Sequence, residues 1–155
     1  ELFGGTEGTI DLTMFDDPRV LQAEIPAANG VTNARALARV YAACLGEVDG
    51  VRLLSDAQVE KAIERQTTGP DAVMFFETAI GLGFFLSSSF SSYGGPRGFG
   101  HTGTGGSMGF ADPDAGIGLG YVMNHLMPNM IGDARTVGLT EASYEAIGTL
   151  PPVIL

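Results

Sequence analysis

Five residues near position 100 could do chemistry together: His101-Thr102-Gly103-Thr104 and, a little further on, Ser107, in a chain with two histidines and one cysteine in all. His101 is a titratable group beside a hydroxyl. Gly98, Gly100, Gly103, Gly105 and Gly106 surround them and leave backbone open to close approach by a small molecule. Such a stretch can position a substrate and polarise its carbonyl.

Two motif templates overlap it. Gly98-x-Gly100-x-x-Gly103 matches the dinucleotide fingerprint, which works only where a strand feeds a helix whose N-terminus meets the pyrophosphate. Here a strand or turn follows, and Asp112 and Asp114 come too early to be the acid expected about 20 residues downstream. Gly105-Gly106-Ser107-Met108-Gly109 matches Gly-x-Ser-x-Gly, the nucleophile elbow of α/β-hydrolases, and makes Ser107 a candidate nucleophile. Strand, turn and strand follow it instead of a helix, and the downstream order runs Ser107, His125, Asp133 instead of serine, acid, histidine. An ordinary hairpin serine is the better reading. No metal is expected, since His101 and His125 lack zinc spacing and Asp112 and Asp114 lack the further ligands of a calcium loop. No cofactor is implied either.

The elements that must hold this stretch are legible on both sides. Residues 80–86 and 117–124 read as strands, Met108-Gly109-Phe110-Ala111 as another, and Asp112-Pro113-Asp114-Ala115-Gly116 as the hairpin turn between the last two. Strand alternation sends His101 and Gly103 to one face and Thr102 to the other. Val73-Met74-Phe75-Phe76 reads as a further short strand, and 87–97 as an exposed Ser, Gly and Tyr-rich loop. Upstream, Thr32 is a plausible cap for an amphipathic helix over 33–45 that Gly46 stops, with Cys44 on its apolar face. Ser55 with Gln58 forms a capping box for a second helix over 56–66, ended by Thr68-Gly69-Pro70. A C-terminal helix from about 133 to 147 lies on the sheet, and 1–31 is irregular apart from a helical turn near Pro18. The fold class is α+β, with an antiparallel sheet of at least three strands and flanking helices.

The chain of 155 residues suits one core. Its formal charge of -10, from 18 acidic against 8 basic side chains, repels phosphate backbones and anionic lipid, so neither nucleic acid nor a membrane is an expected partner. No apolar run is long enough to span a bilayer, and the single cysteine fits a soluble protein in a reducing, cytoplasmic setting without excluding secretion.

From Ala23 to Asn124 the order of segments resembles the serine β-lactamase and penicillin-binding-protein superfamily, in its class C-like branch of esterases and carboxypeptidases. Ile25-Pro26-Ala27-Ala28-Asn29-Gly30, with the capped helix after it, looks like that branch's turn into a helix; Leu53-Leu54-Ser55 and Gly81-Leu82-Gly83-Phe84 resemble its next helix start and strand. His101-Thr102-Gly103 stands where the family has Lys-Thr-Gly. The resemblance implies that His101, Thr102, Gly103 and Thr104 form one wall of an acyl-transfer cleft. His101 and Thr102 would orient the substrate, and the Thr104 N–H would supply half of an oxyanion hole. Histidine in place of lysine makes the wall's charge pH-dependent, in the range where an imidazole ordinarily titrates, near ~6.5. Asn124, at the end of the last strand, would be a weaker substrate contact. The substrate implied is a small ester, peptide or β-lactam.

Two family motifs are missing. The one lysine, Lys61, follows Gln58 by three residues, so no Ser-x-x-Lys exists, and no tyrosine heads a Tyr-x-Asn. The chain also opens on Glu1 without a methionine. It is therefore expected to be the C-terminal part of a single β-lactamase-like domain, with no nucleophile of its own, inactive alone, and partnered by the missing N-terminal part or by self-association. The alternatives are a non-catalytic binding module of the same fold and a hydrolase using Ser107.

Overall fold

Glycines set how closely the main helix meets the sheet. At Gly118 and Gly120 a Cβ would overlap the backbone of Ala42 in the one case, and would stand 2.6 Å from the Ala34 carbonyl and the Ala38 nitrogen in the other. Helix α2 (Ala34–Leu45) therefore lies almost directly on strands β5 (Met108–Asp112) and β6 (Ile117–Tyr121), backbone against backbone. Asn33, not Thr32, caps α2 by accepting from the Ala36 N–H at 2.9 Å, and the Gly46 N–H closes it on Ala42.

The structure is a computed structural model that describes residues 12–127 and 133–149. It has two units, 1–32 and 33–155. The described part of the first is a 3-10 turn, Leu12–Asp16, followed by the short helix α1 (Pro18–Gln22). Asp17 caps α1 and pairs with Arg19, which holds its carboxyl below the ordinary carboxylate range.

The second unit is built on a six-stranded antiparallel meander in consecutive order: β1 (Thr67–Pro70), β2 (Glu77–Ile80), β3 (Phe85–Leu86), β4 (Phe99–Thr102), β5 and β6. Strand alternation gives two cores. Phe99, Ala111, Leu86 and Ala79 face α2 and α3 (Asp56–Ala62), with Cys44 and Val59. Met108 and Phe110 face the other way, toward Tyr93 in the 87–98 loop and Tyr144 of α4 (Ala134–Ala146). Burial pushes the Cys44 thiol above its usual value, in keeping with a core residue.

Several sequence expectations shift for identifiable reasons. Val73-Met74-Phe75-Phe76 is a turn, because the Asp71 carboxylate accepts from the N–H groups of both Val73 and Met74 at 2.8 Å and Phe75 turns into the left-handed region. Helix α3 stops at Ala62 instead of 66, where the Leu82 N–H takes the Ala62 carbonyl. The same contact splits the expected strand 80–86 into β2 and β3 around a turn at Gly83. Thr68-Gly69-Pro70, expected to end α3, instead belongs to edge strand β1, the position in a sheet that tolerates proline. Strand β6 ends at Tyr121, short of Asn124.

Desolvation raises the Tyr41 phenol to about 12, and the Tyr93 and Tyr144 phenols are raised chiefly by burial too. A phenol whose folded value exceeds its unfolded value of ~10 costs no stability below that pH. As pH rises from about 10 toward 12 the unfolded chain ionises first, so stability falls, by at most about 1.4 kcal/mol per pH unit for each phenol. Urea midpoints across this window should fall steeply in the wild type and less steeply in Tyr41→Phe.

Candidate active site

The end of β4 is open on one side. Strand β3 pairs only Phe85 with Gly100 and Leu86 with Phe99, so among the described residues no strand continues along the outer flank of His101 and Thr102. On the inner flank His101 pairs with Gly109 and Thr102 with Met108. The alternation is as the sequence predicts: His101 is exposed on the α2 face, while Thr102 is half-buried on the α4 face. There Thr102 lies near the buried Tyr93, and a cavity of about 110 Å³ lies between Thr102, Met108, Ser92 and Thr136. Larger grooves, of about 370 and 470 Å³, lie away from this strand end, beside α3 and α2.

His101 Nδ1 stands 2.6 Å from the Thr102 carbonyl. A carbonyl can only accept, so this contact assigns the proton to Nδ1 and leaves the lone pair of neutral His101 on Nε2. The Phe85 ring, inclined at 63° with its centroid 5.0 Å away, packs against the imidazole.

Residues 103–107 turn β4 into β5. The Gly103 N–H donates to the Ser107 carbonyl at 2.7 Å, the Gly106 N–H donates to the Gly103 carbonyl at 3.1 Å, and Gly105 and Gly106 hold φ of 89° and 119°. Thr104 sits exposed at the tip, and among the described residues its N–H has no acceptor. The turn thus presents the Thr104 N–H at its exposed tip beside His101 and Thr102; among the described residues the N–H groups of Gly105 and Ser107, which are less exposed, have no acceptor either.

Ser107 lies in this hairpin, its Oγ packed against Gly103 where a Cβ would overlap it. No helix follows, so the strand-to-helix elbow that Gly-x-Ser-x-Gly requires is absent, as is the helix a dinucleotide fingerprint requires. Among the described residues no titratable side chain hydrogen-bonds Ser107, and no group of three His, Cys, Asp or Glu side chains could hold a metal ion. His101, Thr102, Gly103 and Thr104 stand together; Asn124 is exposed beyond the end of β6, with no hydrogen bond among the described residues.

Arg135 reaches the 103–107 turn from α4. Its guanidinium donates to Asp133 through Nε at 2.8 Å, to the His125 carbonyl through Nη1 at 3.0 Å and to the Gly105 carbonyl through Nη2 at 3.2 Å. The hydrogen bond to Asp133 raises its already high basicity further. Nothing in its spacing marked it, because the groups it meets are backbone carbonyls distant in sequence.

An antiparallel sheet with helices on both faces, whose fourth strand runs into His-Thr-Gly, is a fold of the β-lactamase and penicillin-binding-protein type. The sequence profile of the Beta-lactamase family matches residues 4–142, and the chain belongs to that family.

Over 116 residues it is 41% identical to the esterase/beta-lactamase LipL of Mycobacterium tuberculosis (strain ATCC 25618 / H37Rv), covering 72% of this chain and 26% of that protein. Among solved structures it resembles a family VIII carboxylesterase at 37% identity and TM-score 0.74, over 83% of this chain and 36% of that one. EstA from Arthrobacter nitroguajacolicus Rue61a matches at 31% identity and TM-score 0.78, over 88% and 37%. A penicillin-binding protein homolog from Caulobacter crescentus matches at 34% identity and TM-score 0.76, over 93% and 38%. The chain spans about a quarter of the length of the curated relative and under two-fifths of each of these solved chains. Among the described residues no helix is long and apolar enough to cross a membrane.

Proposed function

We propose that these 155 residues form the C-terminal part of a serine hydrolase that transfers an acyl group from a small ester to a serine, and then to water. The serine and its base lie in a Ser-x-x-Lys outside this sequence. The observation that carries the reading is an unengaged N–H at Thr104, at the tip of a His-Thr-Gly strand, in a chain that has no Ser-x-x-Lys of its own.

On this reading the Thr104 N–H donates to the carbonyl oxygen as it becomes an oxyanion, and a second donor comes from the other part of the protein. His101 and Thr102 line the open flank of β4 and orient the acyl or leaving group. Asn124 is a further substrate contact. The name of the family VIII carboxylesterase favours an ester, while that of LipL gives both an esterase and a β-lactamase.

The test uses p-nitrophenyl butyrate with the complete gene product and with the 155-residue chain alone. The complete product should hydrolyse the ester and, after a fluorophosphonate, gain that probe's mass on a serine upstream of Glu1, while the short chain stays inert. Hydrolysis by the short chain, lost in Ser107→Ala, would overturn the proposal. So would a complete product without Ser-x-x-Lys that binds the ester and leaves it intact, the behaviour of a binding module.

A further inference from the structure

The turn that carries Thr104 cannot aim its N–H unaided. It contains three glycines in residues 103–106, two of them in the left-handed region, and holds itself together with two internal hydrogen bonds. Glycine loses the most conformational freedom on ordering, so such a turn wanders unless something outside fixes it.

What fixes it is α4. The Gly105 carbonyl accepts from the Met127 N–H at 3.0 Å and from Arg135 Nη2 at 3.2 Å, while Arg135 Nη1 donates to the His125 carbonyl at 3.0 Å. One guanidinium therefore ties the turn to the segment beyond β6. It is itself aimed by Asp133, which accepts from Nε, from Nη2 and from the Arg135 backbone N–H, and caps α4. The Asp133 side chain is 5% exposed and lies against the Gly106 Cα, where a Cβ would overlap its carboxylate.

We propose that Arg135 is a positioning residue for acyl transfer: its planar fork, held by Asp133, sets the height and tilt of the 103–107 turn and so the direction of the Thr104 N–H. This rests on the oxyanion reading above. A lysine keeps the charge beside Asp133 but, as a single ammonium, cannot hold both carbonyls and the carboxylate in one plane. A donor that matters only for the transition state affects kcat when it is misaimed and leaves ground-state binding alone.

The experiment compares wild type, Arg135→Lys and Arg135→Ala in the complete gene product. It measures p-nitrophenyl butyrate kinetics, hydrogen exchange at Gly106 and Met127, and urea midpoints. The expected result is a kcat lower by about 10²-fold, the scale set by a misplacement near 1 Å, with KM within a few-fold. Exchange at Gly106 and Met127 should be faster, and amides of β5 unchanged. Arg135→Lys should show the same split with a near-wild-type urea midpoint, which keeps the test decisive if Arg135→Ala misfolds. Unchanged kcat, or unchanged exchange at Gly106 and Met127 in Arg135→Lys, overturns the positioning role. An inert wild type instead sinks the reading of the site as an acyl-transfer wall, a different failure.

Discussion

Thr104→Pro should lower kcat for ester hydrolysis by the complete protein about 10²- to 10³-fold, while Thr104→Ala stays close to wild type. Proline deletes the exposed backbone donor of Thr104, which has no acceptor among the described residues. Removal of one oxyanion donor is worth about 2.7–4 kcal/mol of transition-state stabilisation. Alanine keeps the N–H and removes only an exposed hydroxyl and methyl. KM should move little in either variant, because the ground-state carbonyl carries too little charge to use the donor fully. Equal activity in Thr104→Pro and Thr104→Ala would remove the backbone of Thr104 from the mechanism.

Asp112→Ala should lower unfolding free energy by about 3–5 kcal/mol, a large share of the 5–15 kcal/mol typical of a domain. Asp112 is 1% exposed at the end of β5. Its Oδ2 accepts from the Gly95 N–H at 2.8 Å and from the Tyr144 hydroxyl, and its Oδ1 from the N–H groups of Asp114 and Ala115. The turn donors can turn to water. The Gly95 N–H keeps a second acceptor in the Tyr144 hydroxyl at 3.1 Å, so the Tyr144 phenol is the buried donor left unsatisfied, at about 1–3 kcal/mol, to which the lost charge-assisted bonds and the vacated volume add. Asp112→Asn keeps the volume and one acceptor and should lose about half as much. A double-mutant cycle of Asp112→Asn with Tyr144→Phe should show coupling of about 0.5–3 kcal/mol in urea unfolding; strict additivity would deny that the two side chains act as a pair.

Much of this molecule was legible because local signals agreed. The Ser55 and Gln58 capping box, the hairpin turn beginning at Asp112 and the helical spacing from Ala34 to Leu45 each specify structure within a few residues, and each stands where it was expected. His101 to Thr104 stand together for the same reason, since they are contiguous. What stayed hidden depends on partners far along the chain. The Leu82 N–H that ends α3, 20 residues downstream of the Ala62 carbonyl it takes, has no trace in either segment's periodicity. Val73 to Phe76 misled because an apolar run says nothing of the Asp71 carboxylate that curls it. Arg135 was invisible as a site residue because backbone carbonyls, its targets, are the same at every position.

The consecutive order of the six strands bears on heat. Pairing β4 with β5 closes a turn of five residues, whereas the bond from Arg135 to the Gly105 carbonyl closes a span of 30. Closing the longer loop costs about 1.6 kcal/mol more in chain entropy. The hairpin can therefore outlive its own anchorage: on warming, the span to α4 is the dearer closure to keep, and the aim of the turn is a looser property than the sheet beneath it.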